Sequence, residues 1–319
     1  MKANRDGFSI VVTNHGYDRY IFDIVCALKS QAAGNIQLIL ASDREIDDDV
    51  KSILTSEEGL DILFVIIPKS GQVEKILSVQ DKIYYNYVAL LDADDFYSNS
   101  HLSEVKKLFQ GDPELDVLVT SHTLVDESGN EIVGDENLRP FFTKPGVQIE
   151  TCSVVSGLKG TRVQPTSCYV FSREALGKIF RHIPDGSKWE ASADDILITV
   201  AKLSHMKIMY SGKPTVSYRL HGANLSTKPT SLFNQQRRLF NRDVFVSETL
   251  RSLGVSDRTA VDLITRGIPM SIRDLVHSLE MIVHYSSNSF SVIYNSGKLI
   301  YRYLRSLLYG RLQESKFLA

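Results

Sequence analysis

Residues 88–96 read Val88-Ala89-Leu90-Leu91-Asp92-Ala93-Asp94-Asp95-Phe96. A short apolar run bounded by polar residues reads as a buried strand. This one delivers three carboxylates within four positions to the strand's end. Like charges so close repel unless a cation or hydrogen-bond donors offset them. Hard oxygen ligands of this kind suit Mg²⁺ or Mn²⁺, ions that keep coordination positions for water and substrate phosphates. The same residues read equally as an acidic loop, or as an N-cap in which Asp94 or Asp95 caps a helix starting near Ser98.

Three strands are expected upstream. Phe8–Val12 ends at Thr13-Asn14-His15-Gly16, Ile36–Leu40 at Ala41-Ser42-Asp43, and Ile62–Ile67 at Pro68 and Gly71. Between them lie helical spacings over Tyr17–Gln31, with Ile21, Ile24, Val25 and Leu28 apolar, and over Asp47–Leu54 and Val73–Asp81. Tyr87–Leu91 is then the fourth strand, His101–Phe109 a helix and Val117–Thr120 a fifth strand. Strands alternating with helices predict an α/β fold, a Rossmann-like, mostly parallel central sheet with helices on both faces. Ligands of such sheets bind at the carboxyl ends of the strands. One sheet therefore brings Thr13, Asp43 and Asp92 to Asp95 to the same edge.

Downstream the pattern changes. Asp126-Glu127-Ser128-Gly129-Asn130 is a turn between Thr123–Val125 and Glu131–Val133, predicting a hairpin. Leu138–Gly160, with Pro140 and Pro145, is expected to form irregular loops over a site. Ser167–Phe171 is a strand, Arg173–Phe180 and Ala193–Leu203 helices, and Lys207–Tyr210 and Thr215–Tyr218 two short strands. From about Pro229 helical signals dominate, over Leu232–Leu250, Arg258–Ile264, Ile272–His284 and Lys298–Leu312. This predicts a catalytic domain over 1–228, divided into halves 1–121 and 122–228, and a helical extension over 229–319.

The chain has 319 residues, 43% hydrophobic and 23% charged, enough to bury a core without disulfides or a structural metal. Lys and Arg total 36 and Asp and Glu 38, so no general attraction to nucleic acid is expected. Cys26, Cys152 and Cys168 form no CxxC pair and read as free thiols of a reducing compartment. The short polar start, Met1–Gly7, does not read as a signal peptide. No apolar run nears the ~20 residues needed to span a bilayer. A cytoplasmic protein is expected, at most peripheral to the inner face of the membrane.

Two further patches complete the pattern: Ala191-Ser192-Ala193-Asp194-Asp195-Ile196-Leu197 and Tyr218-Arg219-Leu220-His221-Gly222-Ala223-Asn224-Leu225-Ser226. With the Thr13 strand and the Leu91-Asp92-Ala93-Asp94-Asp95 cluster as a DxD motif, they resemble an inverting family 2 glycosyltransferase of GT-A fold, over roughly residues 8 to 226. The resemblance implies a UDP-sugar donor and Mn²⁺ or Mg²⁺. It implies that Asp92 and the adjacent Ala93 contact the nucleoside and ribose, and that Asp94 and His221 approach the metal. Asp194 falls on the position of the general base, with Asp195 as the alternative. Thr13 and Asp43 would surround the base, and Ser70-Gly71-Gln72 resembles the Gly-Gly-Gln loop that lies against the donor. Trp189-Glu190 and Pro165-Thr166-Ser167 fall on the acceptor side. Two departures stand out: Lys75-Ile76-Leu77 replaces an Ala-x-Asn or Arg-Asn pair, and Ala-Ser-Asp replaces Asp-Asp-Gly-Ser after the second strand.

Family analogy places such an enzyme in bacterial surface polysaccharide or glycolipid synthesis, with a saccharide or lipid-linked acceptor. Residues 298–312 mix Leu299, Ile300, Leu304, Leu307, Leu308 and Leu312 with Lys298, Arg302, Arg305 and Arg311 and contain no acidic residue. That helix reads either as a packing or homodimer face or as a surface for an anionic membrane. Two other functions compete. One is a non-catalytic domain that binds a nucleotide sugar or a partner. The other is a metal-dependent phosphatase or nucleotidyltransferase. Strand-DxD resembles the nucleophile motif of haloacid-dehalogenase-like phosphatases, but there the strand usually opens the chain and Thr or Val follows the second acid. Against a nucleotidyltransferase, no Gly-rich phosphate loop with a basic residue follows the first strand.

Overall fold

The computed structural model describes residues 5–31, 34–55, 60–132, 147–150, 164–183, 193–222, 244–254, 272–285 and 289–317. Two compact units emerge: 1–180 with 192–227, and 181–191 with 228–319.

The first unit is built on a nine-stranded mixed sheet of order β3-β2-β1-β4-β8-β6-β9-β5, with β7 pairing β9. Its parallel half comprises β1 (Gly7–Asn14), β2 (Asn35–Ser42), β3 (Asp61–Ile66) and β4 (Tyr87–Asp92). Every residue of β1 is buried, so both faces of the sheet are covered there, as continuous β-branched runs require. Helices α1 (Ile21–Lys29), α2 (Asp48–Thr55) and α3 (Gln72–Ser78) connect these strands. Ile21, Ile24, Val25 and Leu28 of α1 are buried in one core cluster with Phe8, Ile10 and Val12 of β1, which is why their helical spacing was informative.

Beyond β4 come β5 (Phe96–Tyr97), α4 (His101–Gly111), β6 (Val117–Val125), β7 (Val147–Glu150) and β8 (Tyr169–Ser172). Then follow α5 (Arg173–Arg181), α6 (Ala193–Leu203) and β9 (Ile208–Arg219). β8 runs antiparallel to both β4 and β6, and β6 and β9 are parallel. The turn at Asp126–Asn130 closes as expected: the Asp126 N–H donates to the Asn130 carbonyl and Val125 bridges Glu131.

Several expectations are corrected and one strand is added. The two short strands Lys207–Tyr210 and Thr215–Tyr218 are one strand, β9. Gly212 and Pro214 break the sequence pattern, yet the ladder absorbs them as register shifts opposite Ser121, where Val119 pairs Tyr210 and Ser121 pairs Pro214. Thr166–Cys168 is a 3₁₀ turn rather than strand, closed by the Cys168 N–H donating to the Pro165 carbonyl at 2.8 Å. Residues 147–150 form a strand inside the stretch expected to be irregular, taking β9 as its template. Phe96–Tyr97 pairs Ser217 and Val216 of β9, a pairing too short to leave a pattern in sequence. The remainder of 138–160, Trp189, Glu190, the Ala223–Ser226 end of the last motif and the 258–264 helix lie outside the described residues.

In the second unit, residues 244–252 are helical, and the helices Ile272–Tyr285 and Ser289–Phe317 pack through Ile282 and Leu299, with Leu275 and Leu279 against them. Among the described residues, no helix is long and apolar enough to cross a membrane.

Candidate functional site

β1, β2 and β4 end side by side, and in the β1–β4 register Thr13 faces Asp92. At Gly16 the chain adopts φ +85°, a left-handed conformation that a side chain disfavours, and so leaves β1 abruptly. The parallel sheet thus gathers Thr13, Asp43 and the acidic cluster on one edge. Carboxylate oxygens of Asp92, Asp94 and Asp95 lie within 4.8 Å of one another.

The three acids differ in surroundings. Asp95 is buried, and both its oxygens accept internal hydrogen bonds, from Ser167 Oγ at 2.5 Å and from the Arg219 N–H at 2.9 Å. Burial first, then the charges of Asp94 and Asp92, push its pKa well above the usual carboxylate range. Asp92 Oδ1 accepts from Thr13 Oγ1 at 3.0 Å and from Gln72 Nε2, while its N–H donates to Ser167 Oγ at 3.1 Å. Burial and the Asp94 charge push Asp92 up to about 7. Asp94 is partly exposed, and its Oδ2 lies 2.8 Å from His221 Nε2. His221 packs beside the stacked rings of Tyr17 and Tyr20, ring centroids 5.2 Å and 6.0 Å away.

The backbone of this loop is clamped by Arg219, whose role the motif Tyr218-Arg219-Leu220-His221-Gly222 did not disclose. Arg219 is 2% exposed and fans its guanidinium to the Asp94 carbonyl (Nε, 2.8 Å), the Glu127 carbonyl (Nη1, 2.5 Å) and Asp23 Oδ2 (Nη2, 2.7 Å). It lies 4.3 Å over the Tyr20 ring and 5.2 Å from that of Phe96. Five donors in a planar fork suit this double-carbonyl grip, which an ammonium cannot reproduce. An arginine closing an alternating strand was the available signal, but its partners come from three other segments.

α6 starts with Ala193, so Asp194 and Asp195 sit in its first turn. Asp194 Oδ1 accepts from the Asp195 N–H at 2.8 Å. The charge of Asp194 reaches Asp92, which it helps to raise. Gln72, at the start of α3 after Gly71, spans the gap: its Nε2 faces Asp92 and Thr13, its Oε1 the Ala193 N–H. Ala93 is buried and its N–H donates to the Thr13 carbonyl at 3.2 Å.

At the far side of the edge, Asp43 Oδ2 lies 3.2 Å from His15 Nδ1 and 3.8 Å from Lys75 Nζ. Lys75 is fully buried and also donates to the Asn14 carbonyl at 2.9 Å. Burial lowers the pKa of Lys75, and burial followed by the Lys75 charge lowers that of His15. In sequence Lys75 stands out only as a departure and His15 only as part of the polar end of the first strand; the structure joins both to Asp43.

The clustered carboxylates of Asp92, Asp94 and Asp95, with His221 Nε2 2.8 Å from Asp94 Oδ2, offer oxygen ligands of the kind that suits a hard divalent cation. Asp95 takes one internal hydrogen bond on each oxygen, from Ser167 and from the Arg219 N–H.

The family described as glycosyl transferase family 2 matches residues 9–180. An uncharacterized glycosyltransferase of Nostoc sp. is 26% identical over 233 residues, 72% of this chain and 69% of the relative. Among solved structures, Staphylococcus aureus TarS residues 1–349 with UDP-GlcNAc matches at TM-score 0.62 and 11% identity, over 93% of this chain and 89% of that one. The same protein with UDP matches at TM-score 0.59 and 12% identity over the same shares. At such identities the likeness is one of fold. The family match contains the acidic cluster and stops before α6 and His221.

Proposed function

The chain belongs to glycosyl transferase family 2, and from that premise we propose that it is an inverting, metal-assisted enzyme that moves a sugar from a UDP-sugar to an acceptor hydroxyl, with Asp194 as general base. The observation that carries this reading is the meeting of the DxD carboxylates with the acidic start of α6, joined through Gln72. UDP-GlcNAc and UDP in the structurally similar TarS support a uridine donor.

In this reading Asp94 and His221 would hold a Mn²⁺ or Mg²⁺ ion, which would supply charge neutralisation for the diphosphate. Asp92 and Ala93 border the ribose, Asp43 and Thr13 the base, and Gly71 the sugar side. Asp194 accepts the proton of the acceptor hydroxyl while that oxygen bonds to the anomeric carbon. The bond from that carbon to the diphosphate oxygen breaks in the same displacement, and UDP departs with the electron pair. Asp195, whose N–H is bonded to Asp194, orients the base.

The acceptor is a saccharide or a lipid-linked saccharide. In the helix Ser289–Phe317, Ile293, Tyr294, Tyr301 and Leu304 are exposed along one face. No acidic residue occurs from Ser289 to Gln313, while Lys298, Arg302, Arg305 and Arg311 do. Exposed tyrosines and a basic shoulder favour an anionic membrane surface over a second copy, whose like charges would face these. Co-sedimentation with phosphatidylglycerol vesicles, lost in Tyr301→Glu, tests this; a stable dimer whose interface contains Tyr301 would refute it.

The central test is calorimetric titration of UDP and GDP with and without Mn²⁺ into the protein and Asp94→Ala. Mn²⁺-dependent UDP binding, lost in the variant, is expected. Preference for GDP would overturn the uridine assignment, and no nucleotide binding by folded protein would overturn the enzyme reading.

A further inference from the structure

The stretch Ser70-Gly71-Gln72 resembles a loop that lies against the donor, but both ends of the Gln72 carboxamide bond within the protein. A carboxamide offers two N–H donors and an oxygen with two lone pairs. Here Nε2 faces Asp92 Oδ1 and, at 3.3 Å, Thr13 Oγ1. Oε1 accepts from the Ala193 N–H at 3.0 Å and from Thr166 Oγ1 at 3.4 Å. The orientation of the amide is not ambiguous, because a backbone N–H can only donate and so must meet the oxygen. All four capacities of Gln72 are therefore used within the protein.

The Ala193 N–H is one of the unpaired donors that every helix presents at its first turn. Gln72 satisfies it from another helix, 121 residues away in sequence. The residue after Ala193 is Asp194. One side chain thus ties the start of the helix that carries the acidic pair to the first carboxylate of the cluster on β4.

We infer that Gln72 is a positioning residue, setting the distance between Asp194 and the Asp92 to Asp95 cluster, rather than a donor ligand. The inference rests on the reading of Asp194 as base, but the structural link it describes does not. Displacement of a reacting group by about 1 Å costs on the order of 10²-fold in rate.

The test uses the full chain and two variants. Gln72→Met keeps the length and removes every hydrogen bond; Gln72→Glu keeps an acceptor for Ala193 and removes the donor to Asp92. Amide hydrogen exchange at Ala193 is expected to quicken at least tenfold in Gln72→Met and to stay slow in Gln72→Glu. In steady state, kcat of Gln72→Met is expected to fall on the order of 10²-fold, with the donor KM and the UDP Kd within about twofold of the parent. Weakened UDP binding with kcat retained would make Gln72 a donor ligand and overturn the inference. Unchanged exchange at Ala193 in Gln72→Met would overturn it too. If the parent transfers no sugar, the proposed function fails, while the exchange measurement still decides whether Gln72 holds α6. A loss of melting temperature alone, with kcat per folded molecule unchanged, would reduce Gln72 to a fold-stabilising residue and refute the positioning role.

Discussion

Replacing Arg219 by methionine tests whether the acidic loop is held by its backbone. Methionine retains packing between Tyr20 and Phe96 but strands the carbonyls of Asp94 and Glu127, which now accept from Nε at 2.8 Å and Nη1 at 2.5 Å. Each charge-assisted bond is worth ~1.5–3 kcal/mol, the lower figure applying where the acceptor is part-buried, as both of these are. The pair with Asp23 adds little, since that carboxylate is 49% exposed and rehydrates, leaving ~0–1 kcal/mol. The sum is about 3–7 kcal/mol, and rehydration of the two part-buried carbonyls brings it toward about 3 kcal/mol. For a unit of this size, where 1 kcal/mol moves the melting point roughly 2–4 °C, that is a fall of about 10 °C by scanning calorimetry. Because Nε grips the carbonyl of Asp94 itself, Mn²⁺ affinity is expected to weaken in folded Arg219→Met at temperatures well below its transition. Arg219→Lys keeps the charge but not the fork, and is expected to recover less than half of the loss. A melting point within about 2 °C of the parent, with unchanged Mn²⁺ affinity, would refute the clamp.

Three further outcomes follow from the same geometry. Asp194→Asn is expected to lower kcat by ~10²–10⁴-fold with little change in UDP Kd, and Asp195→Asn by far less; the reverse order in steady-state kinetics would move the base to Asp195. His101 is buried, stacked 3.9 Å from Tyr97, and burial lowers its pKa to about 3, so the unfolded state, titrating near 6.5, binds the extra proton between those values. Stability should therefore be complete above pH 6.5 and fall on acidification, by about 2 kcal/mol at pH 5, and denaturant melts of His101→Phe should show a shallower slope. Asp95→Asn leaves one oxygen for Ser167 or the Arg219 N–H and turns a donor on the other; it should lower the melting point, whereas Asp94→Ala should chiefly abolish Mn²⁺-dependent UDP binding, and calorimetry that finds the two effects exchanged would reverse the roles assigned to these neighbours.

The parts of the molecule legible in sequence are those set by short-range pattern. The β1, β2 and β4 runs are mostly apolar because both faces of the sheet are covered, the buried Ser9 and Gln37 being hydrogen-bonded to each other, and each gives way to polar residues where the sheet ends. That alone places Thr13, Asp43 and Asp92 on one edge. The spacing of α1 and α6 is equally local. The misreadings arose where a distant ladder overrides local preference: Gly212 and Pro214 would end a strand, yet β6 carries β9 across them, and Phe96–Tyr97 is a strand only because β9 pairs with it.

The amino-acid sequence by itself determined the fold class, the acidic cluster and the candidate residues at the strand ends, because hydrophobic period and charge density are local properties. Only the tertiary structure decided what each of those residues touches. Asp95 is tied to two distant segments, through Ser167 and the Arg219 N–H. Lys75 meets Asp43 and His15 because α3 packs over the ends of β1 and β2. Gln72 reaches Ala193 across 121 residues and Arg219 reaches Asp23 across 196. Such pairings leave no periodic trace in a chain, since they depend on where whole elements dock and not on the residues beside them.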